Sequence, residues 1–369
     1  MDNCVIPHGY KATALGIIPQ EWEVMLLGNL SNSISSGRNK HRDAHGQYPV
    51  FGSTGIIGYS STYEYEGPVI LVARVGANAG TLNFASGQYD VSDNTLIITI
   101  KQNVYDYNFA YNQLTHYKLN KLVFGSGQPL ITSKQLKNIR IPVPPLAEQR
   151  KIAEVLGVWD KAIEKQARLI EKLALRKRAL MQRLLSAKLR LPGFSEPWKK
   201  VKLGDVAELY QPQTIQSEDL SQTGYPVYGA NGLIGYYNNY NHEYPQVVIT
   251  CRGSSCGTVN FTPGKCWITG NAMVLNVDNN RDVNKSFFYY LISNSSFVNL
   301  ISGSGQPQIV RQPLLKFELR IPPLKEQTAI AEVLTAADRK IDLAKEKLER
   351  LRRQKRGLMQ QLLTGKKRI

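Results

Sequence analysis

The chain has 369 residues, with 46 Lys+Arg against 29 Asp+Glu, a formal charge of +17, and 42 % hydrophobic residues. That length gives room for two or three domains, the apolar fraction excludes a disordered basic tail, and no apolar run reaches the roughly 20 residues that cross a bilayer. Met1–Pro7 holds Asp2 and no hydrophobic stretch, and four cysteines do not make a disulfide framework, so a cytoplasmic protein with a polyanionic partner, nucleic acid first, is expected.

Residues 20–142 carry short β-branched runs between turns rich in Gly, Tyr, Asn and Ser. Pro68–Ala73 and Thr95–Ile100 read as strands, and Tyr105–Asn120, with aromatic and Leu positions three and four apart, reads as a helix. Polar, glycine-flanked loops in this part are the candidates for contact with a nucleic acid. The loop Ser36–Arg42 is basic and carries Arg38, Lys40 and Arg42. Residues 48–59 form an aromatic, hydroxyl and glycine loop with Tyr48, Ser53, Thr54 and Tyr59. Arg74 ends a strand just before Gly76–Gly80, which includes Asn78. Arg on guanine and Asn on adenine are the common base readouts. Gly52 and Gly58 are assigned to turn geometry.

Pro144-Pro145 stop the last strand of this part and open a helix over 146–185. Its inward series steps by four and three through Ile152, Leu156, Trp159, Ile163, Gln166, Ile170, Leu173, Lys177, Leu180 and Leu184. That is a heptad seam, and at 1.5 Å per residue the rod is about 60 Å long. Residues 198–320 repeat the first pattern, with strands at Gln246–Thr250 and Ala272–Val277, a helix over Lys285–Ile301, and candidate contacts at Tyr225, Tyr228, Asn231, Tyr236, Arg252, Ser254 and Ser255. Gly229 and Gly235 are again assigned to turns. Pro322-Pro323 open a second rod over 324–363, whose seam reads Ile330, Leu334, Ala337, Ile341, Ala344, Leu348, Leu351, Lys355, Leu358 and Leu362. The economical partner for each rod is the other, packed antiparallel.

The chain is therefore written twice. Tyr48–Gly52 and Gly55–Tyr59 recur as Tyr225–Gly229 and Gly232–Tyr236 at an offset of 177. Gly125–Pro129 recurs as Gly303–Pro307, and Pro144–Gln149 as Pro322–Gln327, at 178; Trp22 and Trp198 each precede a glycine by six residues. The two rods agree at 19 of 40 positions, while the β parts agree mainly at glycines, prolines and aromatics. Positive charge concentrates late in each rod: eight basic residues lie between Arg168 and Arg190 against Glu171 alone, and ten between Lys345 and Arg368 against Glu346 and Glu349. This suits helix C-termini, and as a cluster it suits a DNA backbone or an acidic helical partner. Lys177 and Lys355 occupy the same seam position, where they either fix register or mark a splaying of the rods.

Catalytic patterns are missing. No P-loop or strand–turn–helix G-x-G-x-x-G occurs, the five histidines include no H-E-x-x-H, and Cys251, Cys256 and Cys266 align with Arg74, Ala79 and Tyr89, so the repeated fold does not require them as a metal cluster.

The duplicated Gly-Ser-Gly-Gln-Pro, the strand running into Pro-Pro-Leu with Glu-Gln, and the helix ending in Leu-Met-Gln-Gln-Leu-Leu-Thr-Gly-Lys (358–366) together resemble the specificity (S) subunit, HsdS, of Type I restriction–modification enzymes, over essentially the whole chain. The resemblance implies an α+β fold. Two similar, mostly-β target recognition domains (1–143 and 191–321) are separated by two conserved spacer helices (144–190 and 322–369). The helices pair as an antiparallel coiled coil with a pseudo-twofold. It further implies double-stranded DNA read at two half-sites flanking a spacer, no catalytic activity and no cofactor of its own. Two methyltransferase (M) subunits would use S-adenosylmethionine, and any restriction (R) subunits ATP and Mg. Val143–Leu146 and Ile321–Leu324 do not meet the aromatic-ended Pro-Pro signature of adenine methyltransferases. The competing reading is a coiled-coil structural adaptor with two β domains. It leaves the charge and the dissimilar loops without a use. A single-chain methyltransferase or nuclease would need catalytic motifs that are missing.

Overall fold

The computed structural model describes residues 6–40, 43, 45–125, 129–229, 232–303 and 305–369. They divide into two compact units, 1–167 with 346–369, and 168–345. Each unit takes one half of each long helix, because those helices run unbroken over Leu146–Leu184 and Leu324–Leu362.

In the first unit, Val69–Ala73 buries all five residues and Thr95–Ile100 all but Thr99. They are central strands of an antiparallel sheet ordered Ser31–Ser36, Thr95–Ile100, Val69–Ala73, Leu82–Ala85. A second sheet is ordered Gly55–Ser60, Tyr48–Gly52, Gln88–Val91, Tyr65–Glu66, and Gln88–Val91 runs parallel to Tyr48–Gly52. Residues 48–60, expected as a loop, are thus a β-hairpin turning at Ser53-Thr54. Tyr48, Val50 and Gly52 share one side of the strand, and that alternation carries the hairpin. The helix Tyr107–Tyr117 is capped by Asp106, whose side chain accepts from the Phe109 amide.

The second unit repeats this with Glu208–Tyr210, Ala272–Asn276, Val247–Thr250 and Val259–Phe261 in one sheet, and Gly232–Tyr237, Tyr225–Gly229 and Trp267–Ile268 in the other. Again the expected loop at 225–236 is a hairpin. The helix expected over Lys285–Ile301 spans only Lys285–Ser293. Ser293-Asn294-Ser295-Ser296 follows, a run whose short polar side chains favour caps and turns over helix interior, and Ile301 lies in a two-residue strand.

The repeated Pro-Pro-Leu-x-Glu-Gln is a fastener. Gln149 accepts from the Asp106 amide at 2.8 Å and donates to the Val104 and Pro144 carbonyls, tying the start of the first long helix to the cap of Tyr107–Tyr117. Gln327 does the same with the Asn284 amide and the Asp282 and Pro322 carbonyls. Glu148 is buried, accepts from Trp22 Nε1 at 3.1 Å and pairs with Arg368 through both carboxylate oxygens at 2.8 and 2.9 Å. In the second unit Glu326 accepts from Trp198 Nε1 at 3.2 Å and pairs with Arg190 at 2.6 and 2.8 Å.

These pairs also set the direction of the helices. In the first unit Asp160 meets Lys355 at 2.6 Å and Glu148 meets Arg368, so the chain segments run antiparallel; in the second Lys177 meets Asp338 at 2.5 Å and Arg190 meets Glu326. The two seam lysines are therefore paired across the helices at equivalent places, which favours register over splaying. Every seam position named from the sequence is buried or half-buried, including Trp159, Ile163, Ile170, Leu173, Leu180, Ile341, Leu348, Leu351 and Leu358. Ile152 and Leu156 join Met359 and Leu362 in the core of the first unit, and Leu184 joins Ile330 and Leu334 in that of the second. Among the described residues no helix is long and apolar enough to cross a membrane.

Candidate nucleic-acid interface

In the first unit the basic loop with Arg38, the end of a hairpin strand and Arg74 gather around one turn, 91–95, between the two sheets. Gly37 N donates to Thr95 O, Arg38 N and Asn39 N to Val91 O, Ser92 N to Phe51 O, and Arg74 N to Asn94 O, all at 2.9–3.0 Å. The basic loop, the inner end of the hairpin strand and Arg74 are thereby fixed to a single support. The hairpin tip approaches Asn83, because a Cβ on Gly55 would lie 3.6 Å from its Oδ1. The turn Gly76–Gly80, with exposed Asn78, is held from the other side: Gly76 N donates to Pro129 O at 2.9 Å. This last bond uses Pro129, the final residue of the repeated motif, and Gly253 N to Pro307 O at 3.0 Å repeats it in the second unit. Gly76 and Gly253 have φ of 77° and 84°, a region that side chains rarely adopt.

The side chains differ in availability. Arg38 is 82 % exposed and reaches Glu64 at 3.8 Å, a pair of little strength. Lys40 and Thr54 are exposed and Ser53 half-buried. Asn39 binds the buried carboxylate of Asp90, which also accepts from the Val91 amide, so Asn39 pins the loop. Burial and nearby Glu64 push the Tyr65 phenol up to about 12, so it stays a neutral donor. Tyr48 and Tyr59 lie at the far end of the hairpin from Phe51 and Gly52. Tyr48 packs against Tyr63 with ring centroids 4.8 Å apart. They are not brought to the 91–95 turn. Arg42 lies outside the described residues.

The second unit builds the same support at 268–272. Thr269 N donates to Tyr228 O at 2.9 Å and Cys251 N to Asn271 O at 3.1 Å. Arg252, Ser254 and Ser255 occupy the 251–257 turn, the first two exposed. Tyr225 packs on Tyr240 at 4.9 Å, and Tyr236 pairs with Pro226 far from the turn. Asn231 lies outside the described residues. Burial pushes the Cys251 thiol up to about 11, so it is a neutral thiol at neutral pH. Among the described residues no group of three His, Cys, Asp or Glu is placed to hold a metal ion.

Sequence reasoning missed the supports themselves. Asp93, Asn94 and Asn271 are exposed on the two turns. Gln211-Pro212-Gln213-Thr214 borders the second turn, with Gln211 Nε2 donating to Gly270 O at 3.0 Å and Trp267 Nε1 to Gln213 O at 3.3 Å. Strand pairing puts this neutral segment where the first unit has Ser36–Asn39: Leu96 faces Ser36, and Val274 faces Tyr210. The Asp-Asn and Gly-Asn dipeptides were the available signal, as turn formers between strands.

The two units thus present one loop scaffold with different side chains, and the comparisons with known proteins agree with that duplication. The sequence profile described as the Type I restriction modification DNA specificity domain matches twice, over residues 19–174 and 195–353. The Type I restriction enzyme MjaVIII specificity subunit of Methanocaldococcus jannaschii is 24 % identical, covering 95 % of this chain and 94 % of its own. The solved S subunit of a Type I restriction–modification system from M. genitalium has the same fold, with a TM-score of 0.66 at 20 % identity, covering 93 % of this chain and 96 % of its own. A chain solved for the assembly and conformational transition of a Type I system superposes with a TM-score of 0.57 at 19 % identity, covering 94 % and 99 %. With the specificity profile spanning both repeats, the chain belongs to the Type I restriction–modification DNA specificity family.

Proposed function

We propose that this chain is the sequence-reading subunit of a Type I restriction–modification complex in the cytoplasm, with each unit reading one half of a bipartite, non-palindromic site on double-stranded DNA. The protein is a non-catalytic recognition subunit, as its relatives are named for specificity. The two long helices form an antiparallel coiled coil that fixes the spacer between half-sites and docks two M subunits. Adenine methylation belongs to those subunits, with S-adenosylmethionine as donor. ATP and Mg belong to R subunits where these join.

The observation that carries this reading is the repeated loop support. Backbone bonds from residue 74 to Asn94 and from residue 251 to Asn271 are the same, yet one support is surrounded by Arg38, Lys40 and Arg74 and the other by Gln211, Gln213, Cys251 and Arg252. Identical placement of dissimilar donors is what two readers of different sequences require. Sequencing the modified sites in DNA methylated by the chain reconstituted with its M subunits is expected to give two unlike half-sites at one fixed spacing. A palindromic site, or methylation without sequence preference, would count against it.

A further inference from the structure

Arg74 is the most constrained cation of the first unit's loop cluster. Its backbone is fixed on both sides, the amide donating to Asn94 O and the carbonyl accepting from the Ile131 amide, each at 2.9 Å. Its Nη1 donates to Ser36 Oγ at 3.2 Å. Among the described residues its buried Nε has no hydrogen-bond partner, nor do the buried hydroxyls of Ser92 and Thr95 in the adjoining turn. No carboxylate among the described residues lies within ion-pair distance of it. The arginines of the helix fasteners differ: half-buried Arg190 and exposed Arg368 each hold a buried glutamate through two nitrogens. A half-buried cation without a counter-charge is unfavourable in the free protein, and a ligand rich in acceptors relieves it.

We infer that Arg74 is a specificity-determining residue that reads the O6 and N7 acceptors of a guanine in the half-site recognised by the first unit. The inference rests on the DNA-reading function proposed above. Guanine suits this side chain better than a phosphate does. Phosphate contacts tolerate mobile, exposed cations, which the same cluster supplies in Arg38 and Lys40. Arg74 instead has one terminal nitrogen tethered to Ser36 and a planar fork whose direction is thereby set, which is what a bidentate base contact needs. In the second unit the same backbone bonds hold Cys251, with its amide on Asn271 O and its carbonyl on the Ile309 amide. A neutral buried thiol cannot make that contact, so in the second unit this backbone position carries no arginine, and the exposed Arg252 stands one residue further along the turn.

The test is selection from a random duplex library by the full chain in complex with its M subunits, followed by sequencing. Arg74→Ala is expected to weaken the preference for guanine at one position of one half-site by about 5- to 150-fold, and Arg74→Gln to move that position towards adenine. The other half-site, read by the second unit, stays unchanged and reports in the same molecules that the chain is folded. Loss of binding that is uniform across sequences, with the salt dependence reduced by about one phosphate contact, overturns the assignment, as does equal decay of both half-sites. A wild-type complex that selects no bipartite motif sinks the parent reading; an intact motif in Arg74→Ala sinks only the role of Arg74.

Discussion

Glu326 keeps 1 % of its side chain exposed while accepting from Arg190 and Trp198, and Arg190 is 26 % exposed. Removing the carboxylate strands Trp198 Nε1 and leaves Arg190 only the Glu196 carbonyl, so Glu326→Ala is expected to destabilise the second unit by about 3–5 kcal/mol, measured by urea denaturation. Glu148→Ala should cost less, because Arg368 is 40 % exposed and keeps Glu21 as a partner. The sequence showed these glutamates only as repeated letters. Their role became legible when the arginine beyond the end of the other helix and the tryptophan just before the strand Glu23–Leu26 or Lys199–Lys202 met them. His242 gives a pH dependence of known sign. Its Nδ1 donates to Asn241 Oδ1 at 2.6 Å and its Nε2 accepts from the Tyr210 hydroxyl at 2.9 Å. The Asn241 amide is itself oriented by the Ile268 backbone. Burial lowers the imidazole pKa below its ordinary 6.5, against a smaller opposing effect of Asp278. The unfolded state therefore binds the proton first, and stability is lost as pH falls below about 6.5. Melting temperatures across pH 7 to 5 should show this decline, and His242→Gln should flatten it.

The long helices were the most legible elements, since a four–three step sustained without proline over 39 residues has one sensible secondary structure. The β parts were legible as strands but not as sheets. Nothing local in Gln88–Val91 or Trp267–Ile268 announces that each pairs in parallel with a distant hairpin strand. That pairing makes a hairpin of what read as a loop, and it places the supporting turns. The two seam lysines stood between register and splaying in the sequence, and the structure gives each an aspartate. Asp160 and Lys355 allow a clean exchange. Lys355→Asp and Asp160→Lys are each expected to lower the urea midpoint, and the double swap to recover most of the loss. A coupling of about 0.5–1 kcal/mol is appropriate because Asp160 is 54 % exposed. Absence of coupling would mean that the pair contributes nothing to register.

For the whole molecule, the charge of +17 is now divided between tasks. Part is consumed in fasteners such as Arg190 and Arg368, part is divided unevenly between the two loop supports, with Arg38, Lys40 and Arg74 at the first and Arg252 at the second, and part lines the later halves of the helices. On the proposed reading, helix length sets the spacing of the half-sites. One heptad inserted into both helices adds about 10 Å, close to three base pairs, and should lengthen the spacer with both half-sites retained; sequencing of methylated sites reads this directly. The fasteners carry one more consequence. In the second unit Arg190 and Trp198 are joined by seven residues of continuous chain, 191–197, whereas the corresponding Arg368 and Trp22 of the first are 346 positions apart in the sequence. Those two segments nonetheless meet, since a Cβ on Gly365 would strike Pro19 and lie 3.4 Å from Trp22. The backbone connection at 191–197 is thus chemically dispensable wherever a non-covalent equivalent suffices. A circular permutant opened within that segment, with a short flexible peptide joining Ile369 to the residues before Pro19, should fold with unaltered site preference. The order in which the two repeats are translated would then not be dictated by the contacts that fasten each unit.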